Sequence, residues 1–177
     1  MSIHRRISAV LTVGACLALS ACTLSGAHLN ARSEASSIVC SPPDAQGRLA
    51  IAHAQVQSDG SLPVHIRAVT LKESENLRIE AFGVLSDDED GFRGFLSPSD
   101  PEAQISANQE VSAGGQATIQ LVVALEDPGK VGTIESLELE YDDLGRTGSQ
   151  TVTAGLTVQV IPDEAESFVS MCDTPDE

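Results

Sequence analysis

Between residues 49 and 161 the chain repeats one device: a run in which apolar and polar side chains alternate, followed by a cluster of Gly, Asp, Ser or Pro. A period of two puts neighbouring side chains on opposite faces of an extended strand, so each run carries one apolar face. LRIEAFGVL (77–85) sets Leu77, Ile79 and Ala81 against Arg78 and Glu80. QATIQLVVAL (116–125) puts Ile119, Leu121, Val123 and Leu125 on one side, and TIESLELEY (133–141) sets Leu137, Leu139 and Tyr141 against glutamates. SQTVTAGLTVQVI (149–161) presents Val152, Leu156, Val158 and Val160 together, and AQISANQEV (103–111) is a weaker case. LAIAHAQV (49–56) and LPVHIRAVTL (62–71) flank Asp59-Gly60, a pair that tolerates the positive φ of a two-residue hairpin loop. That loop would place Leu49, Ile51 and His53 on one face with Val64, Ile66 and Ala68, and His65 and Arg67 on the other. Pro63 lacks an N–H for a ladder, which puts its end of the strand at a sheet edge.

About seven such strands with no long helical pattern predict an all-β antiparallel β-sandwich, each sheet covering one side of a core. Over residues 38–161 the pattern resembles immunoglobulin-like sandwiches. It lacks the core Trp of antibody domains, its cysteines sit at the ends, and the surroundings of Tyr141 do not match a tyrosine corner. The long stretch 86–103, rich in Gly, Ser, Pro and Asp, reads as a loop and as a candidate contact surface.

The N-terminus has another character. MSIHRRIS carries Arg5 and Arg6, and residues 7–21 carry no charge. A basic start, a short apolar run and small residues at its end form a secretory signal. Leu19-Ser20-Ala21-Cys22 resembles the bacterial lipobox. That resemblance implies a diacylglycerol on the Cys22 thiol, cleavage before it, and a protein held by lipid at the extracytoplasmic face of the cell membrane. Cys16 fits the motif less well and reads as an apolar residue of the signal. The resulting organisation is a cleaved signal at 1–21, a flexible tether at 22–37, and a sandwich domain with an acidic tail at 38–177.

All 26 acidic residues follow the signal but only 8 basic ones do, so the mature chain of 156 residues carries a net charge of −18. Such a surface repels nucleic acid, so nucleic-acid binding is excluded. Its general effect is solubility. No Trp and a single Tyr leave little for a sugar-binding platform. In an oxidising compartment Cys40 and Cys172, with Cys22 blocked by lipid, are expected to form a disulfide.

Motifs for chemistry are sparse. SDDEDG (86–91) offers Asp87, Asp88 and Asp90 as oxygen ligands for a weak calcium site, but as an EF-hand loop it would have Ser86 at position one and Ser97 at position twelve. The domain histidines, His53 and His65, fall on opposite strand faces, a poor start for a transition-metal site. There is no GxSxG, no SxxK and no Cys beside a base. Glu135, Glu138 and Glu140 alternate along one strand and read as a solvated face. The expectation is a non-catalytic accessory or protein-binding module, without a cofactor, docking another envelope protein through an edge strand or the 86–103 loop. The alternatives are a ligand- or cation-binding protein and, more remotely, an envelope hydrolase.

Overall fold

The computed structural model describes residues 29–31, 37–143 and 146–162. Within them lie β1 (Leu29–Ala31), β2 (Ser37–Ser41), β3 (Arg48–Ser58), β4 (Val64–Leu71), β5 (Ser74–Glu75), β6 (Leu77–Ser86), β7 (Phe95–Leu96), β8 (Glu110–Val111), β9 (Gln116–Leu125), β10 (Gly132–Asp143) and β11 (Arg146–Val160). One sheet has the order β1-β3-β9-β6, with the short β7 also on β3. The other has the order β2-β11-β10-β4-β8, with β5 on β10. All pairs are antiparallel except β2 on β11. This is an immunoglobulin-like two-sheet sandwich, with its first strand divided: β1 lies on one sheet and β2 on the other.

The alternation explains the core. Leu49, Ile51, Val56, Ile119, Leu121 and Val123 from the first sheet meet Ile66, Ile134, Leu137, Leu139, Val152 and Val158 from the second. Each of these twelve side chains is at most 2 % exposed. At about 25 cal/mol per Å² of buried apolar area, this layer is the main stabilising term. Tyr141 closes it at one end: its ring lies over Gly148, its partner across β10 and β11, where a Cβ would come within 2.7 Å of the ring. Glu135 and Glu140 on the opposite face of β10 are exposed, as their alternation requires.

Three expectations are corrected. The hairpin around Asp59-Gly60 does not form, because β3 and β4 belong to different sheets: β3 pairs with β1, β9 and β7, whereas β4 pairs with β10 and β8. The turn carries the chain across the sandwich, steadied by Gly60 N donating to Ser58 Oγ at 3.2 Å. A bulge between Ala52 and Ala54 also shifts the register of β3, so Ala54 rather than His53 continues the core face. Second, residues 29–31, assigned to the tether, form β1, with Leu29 fully buried and its N–H donating to Gln150 Oε1 at 3.1 Å.

The third correction concerns the stretch after β6. Residues 87–109 fold down over the outer face of the first sheet instead of standing free. Phe92 and Ala103 join Ala50 in a second apolar cluster, with Ala52, Leu96, Ile105 and Val122 packed against it. Gln120, fully buried in the middle of β9, clamps the segment: its Oε1 accepts from Ser106 N at 2.9 Å and its Nε2 donates to Phe92 O at 3.1 Å. Gly83 lets the same segment approach β6, since a Cβ there would collide with Ser106 O and lie 2.7 Å from Ile105 Cγ2. The segment then crosses the sandwich, with Val84 N donating to Asn108 O and Ile66 N to Gln109 O, before β8 pairs with the start of β4.

Candidate functional site

The segment 108–111 closes only half of one side of the sandwich. β4 runs on from Arg67 to Leu71 without a neighbour beyond it among the described residues, and β6 is the last strand of its sheet. Between these two edges lies an open cleft of about 300 Å³, lined by Val69, Thr70 and Leu71 on one side and Leu77, Arg78 and Ile79 on the other. Val69, Leu71 and Ile79 are half-buried, so the floor is apolar, while Thr70 and Arg78 are exposed at the rim.

The cleft exists because the chain must leave one sheet and enter the other between residues 71 and 77. It does so through β5, held on β10 by pairing of Glu75 with Thr133 and Ser74 with Ile134. Asn76 then adopts φ +53°, a left-handed conformation that Asn tolerates better than most residues. Its amide fixes the turn: Nδ2 donates to Asp127 O and Lys130 O at 2.9 Å, and Oδ1 accepts from Asp127 N at 2.7 Å. That clamp sets the starting point of β6 and hence the width of the cleft.

Arg78 lines the opening, and Arg67 on β4 and Lys72 just after it turn to β10; each has a carboxylate partner. Arg67 Nε lies 3.3 Å from Asp142, Lys72 Nζ 2.7 Å from Glu138, and Arg78 Nη2 2.7 Å from Glu80. Arg78 also donates to Leu125 O at 3.1 Å, which fastens its guanidinium across β9. The Lys72 ammonium, with the Ser149 hydroxyl, holds the Glu138 carboxyl below its usual range. Exposed pairs of this kind contribute little to stability.

The residues expected to bind calcium do not converge. Asp87 turns to Arg93, whose Nη1 lies 3.4 Å from its Oδ1, and Asp88 and Asp90 point into solvent. Among the described residues no group of three His, Cys, Asp or Glu side chains is placed to hold a metal ion. His65 is exposed on β4, whereas His53 is 5 % exposed and neither of its ring nitrogens has a hydrogen-bond partner among the described residues. Burial pushes the His53 pKa down to about 4, so it is neutral at physiological pH. Cys40 sits on the outer face of β2, its Sγ 3.7 Å from Gln159 Oε1. Cys22 and Cys172 lie outside the described residues, as do residues 1–28, the stretch expected to hold the signal and most of the tether, and the acidic tail from residue 163 on.

Two other concavities exist among the described residues. One of about 400 Å³ is lined by Pro43, Asp44, Pro128 and Pro162. Its Asp44 is taken up by Arg48, in an ion pair of 3.0 Å, and by the turn amides of Gln46 and Arg48. The other, about 530 Å³, is bordered by Glu73, Glu75 and Glu135 on the outer face of the second sheet.

The sequence reading missed Gln120, Asn76 and the cleft. A signal for Gln120 was present: Val122 and Ala124 make β9 apolar on both faces toward its end, which marks a strand covered on both sides.

No protein-family model and no characterised protein sequence matches this chain. Solved structures similar to it are remote. The PapD-like domain 7 of human CEP192 is 13 % identical, with a TM-score of 0.36, covering 92 % of this chain and all of that one. The VesB protease of Vibrio cholerae is 10 % identical, with a TM-score of 0.35, covering 77 % of this chain and 32 % of that one. The GAE domain of GGA2p from Saccharomyces cerevisiae is 6 % identical, with a TM-score of 0.25, covering 77 % of this chain and 90 % of that one. At these scores the likenesses carry no functional argument.

Proposed function

We propose that this chain is a lipid-anchored lipoprotein of the bacterial cell envelope, and that its sandwich is a non-catalytic module that docks another envelope protein. The anchor rests on Leu19-Ser20-Ala21-Cys22 after a basic and apolar start. The docking reading rests on the cleft between β4 and β6. A free strand edge offers unpaired N–H and C=O groups to an extended segment, and an apolar floor offers places for its alternate side chains. The occupant is therefore an extended segment of the partner, about five residues long, with apolar side chains at every second position. Edge docking is favoured over the 86–103 loop because that loop is committed to covering the first sheet. Among the described residues, no nucleophile with a base in reach and no gathered ligand set favours the hydrolase or cation-binding reading.

Two measurements test this. Intact mass of detergent-extracted protein is expected to show a mature chain starting at Cys22 with a diacylglycerol adduct; an unmodified Cys22 or another start removes the anchor. For docking, Val69→Asp and Ile79→Asp are expected to weaken capture of the partner at least tenfold, while Glu89→Ala on the loop leaves it unchanged. Capture indifferent to both cleft variants removes the edge from the account.

A further inference from the structure

We infer that the partner's segment enters the β4–β6 cleft as a single strand bonded to both sheets at once, running antiparallel to β4 and sending two apolar side chains, two positions apart, toward the core. This rests on the docking reading above and specifies how the edge is used. The chain carries its own precedent on the same side of the sandwich. Residues 108–111 lie between the two edges, and consecutive carbonyls go to opposite sheets. Asn108 O accepts from Val84 N of β6 at 2.9 Å, and Gln109 O accepts from Ile66 N of β4 at 2.7 Å. The strand then continues as β8, antiparallel to β4 with Val111 opposite Val64, and the Val111 side chain is fully buried in the core.

The open half of that side presents the same kind of groups. On β4, Lys72 N donates to Ser136 O, so Lys72, Thr70 and Ala68 turn their backbone to β10 while Val69 and Leu71 turn theirs into the cleft. On β6, Glu126 N donates to Asn76 O, and Arg78 stands opposite Ala124. Arg78 therefore turns its backbone to β9, and Leu77 and Ile79 turn theirs into the cleft. Among the described residues no ladder joins β4 to β6. A strand between these walls would use alternate residues for each, as Asn108 and Gln109 do.

The two walls are not equivalent. β4 keeps unbroken register with β10 from Ala68 to Leu71, whereas β6 carries a bulge at Glu80, between Ile79 and Ala81. A bulge twists an edge away from pairing. The ladder is therefore made with β4, in the antiparallel sense that β8 uses and that is the more stable per residue. β6 adds single bonds, as it does to Asn108. Side chains follow from the register, because residues directly opposite on a ladder share a face, as Val111 and Val64 do. Val69 and Leu71 pack against the core, so the occupant's residues opposite them also point inward, and the residue between them lies at the rim beside exposed Thr70. The recognised pattern is apolar–polar–apolar, with β-branched side chains like Val111 suited to the two inner places.

The test places a photo-crosslinking amino acid singly at Arg67, Thr70, Lys72 or Arg78 of the full-length chain in intact cells of the native host. Mass spectrometry then maps each attachment point on the captured protein. Positions 70 and 78, on opposite walls, are expected to mark the same short segment of one partner. Along that segment the mark from position 72 is expected to lie N-terminal to the mark from position 67. Marks from position 70 with none from 78, or marks from the two on separate segments, overturn the two-sheet strand. The reverse order of 72 and 67 overturns its direction, and a marked segment without two apolar residues two positions apart overturns the pattern. No product from any of the four positions removes the docking reading itself, and this inference with it.

Discussion

Replacing Gln120 by Leu tests whether residues 87–109 are a built layer of the fold. The side chain is fully buried and holds two backbone groups of the covering segment, Ser106 N–H at 2.9 Å and Phe92 C=O at 3.1 Å. Leu is close to Gln in size, so the change removes the hydrogen bonds without opening a large cavity. A buried polar group left unpaired costs about 1–3 kcal/mol, and two are exposed to that penalty here. The segment can instead lift and let water reach both groups. It then gives up the burial of Phe92 and Ala103, which are 8 % and 7 % exposed, so relief is partial. The expected loss is about 2–4 kcal/mol. Urea unfolding followed by circular dichroism reads it globally. Native-state hydrogen exchange reads it locally: amides between 92 and 106 should speed up about 30-fold or more, while those of β10 follow only the global loss. A variant within about 0.5 kcal/mol of the parent, with unchanged exchange at Ser106, refutes the clamp.

Other consequences follow from single side chains. His53 is buried with a pKa near 4 against 6.5 when exposed, so its share of stability is complete above pH 6.5 and is lost as pH falls from 6.5 toward 4; the difference amounts to about 3 kcal/mol. Chemical denaturation at pH 7 and pH 4.5 should show that loss in the parent and a smaller one in His53→Leu; equal slopes would contradict it. Gly83→Ala should destabilise by about 1–3 kcal/mol, because the new Cβ meets backbone at Ser106 rather than a movable side chain. A neutral result in thermal melts would mean that the covering segment moves freely.

Alternation made much of the fold legible. QATIQLVVAL is β9 residue for residue, and the inward side chains of β10 and β11 were readable from their spacing. A period of two shows that a strand has a core face, but it does not show which strand lies beside it. The Asp59-Gly60 turn is therefore ambiguous: the same dipeptide serves a hairpin or a crossing between sheets, and here β3 and β4 find better partners in β9 and β10. Leu29 could not be read because three residues of edge strand have no period of their own. The cleft was invisible for a related reason. It is formed by two strands with only the short β5 between them in sequence, β6 at the edge of one sheet and the later half of β4, past β8, at the edge of the other, and only the topology reveals that they are left facing each other.

The central claim is that a partner adds an extended segment to the β4–β6 edge. Its most direct test places a photo-crosslinking amino acid at Thr70, at Glu89 or at Glu140 of the full-length chain, in intact cells of the native host. The account predicts one dominant crosslinked protein from position 70, lost when Ile79→Asp is added, and none from positions 89 and 140. Crosslinking from position 89 or 140 instead, or a product at position 70 that survives Ile79→Asp, would contradict it.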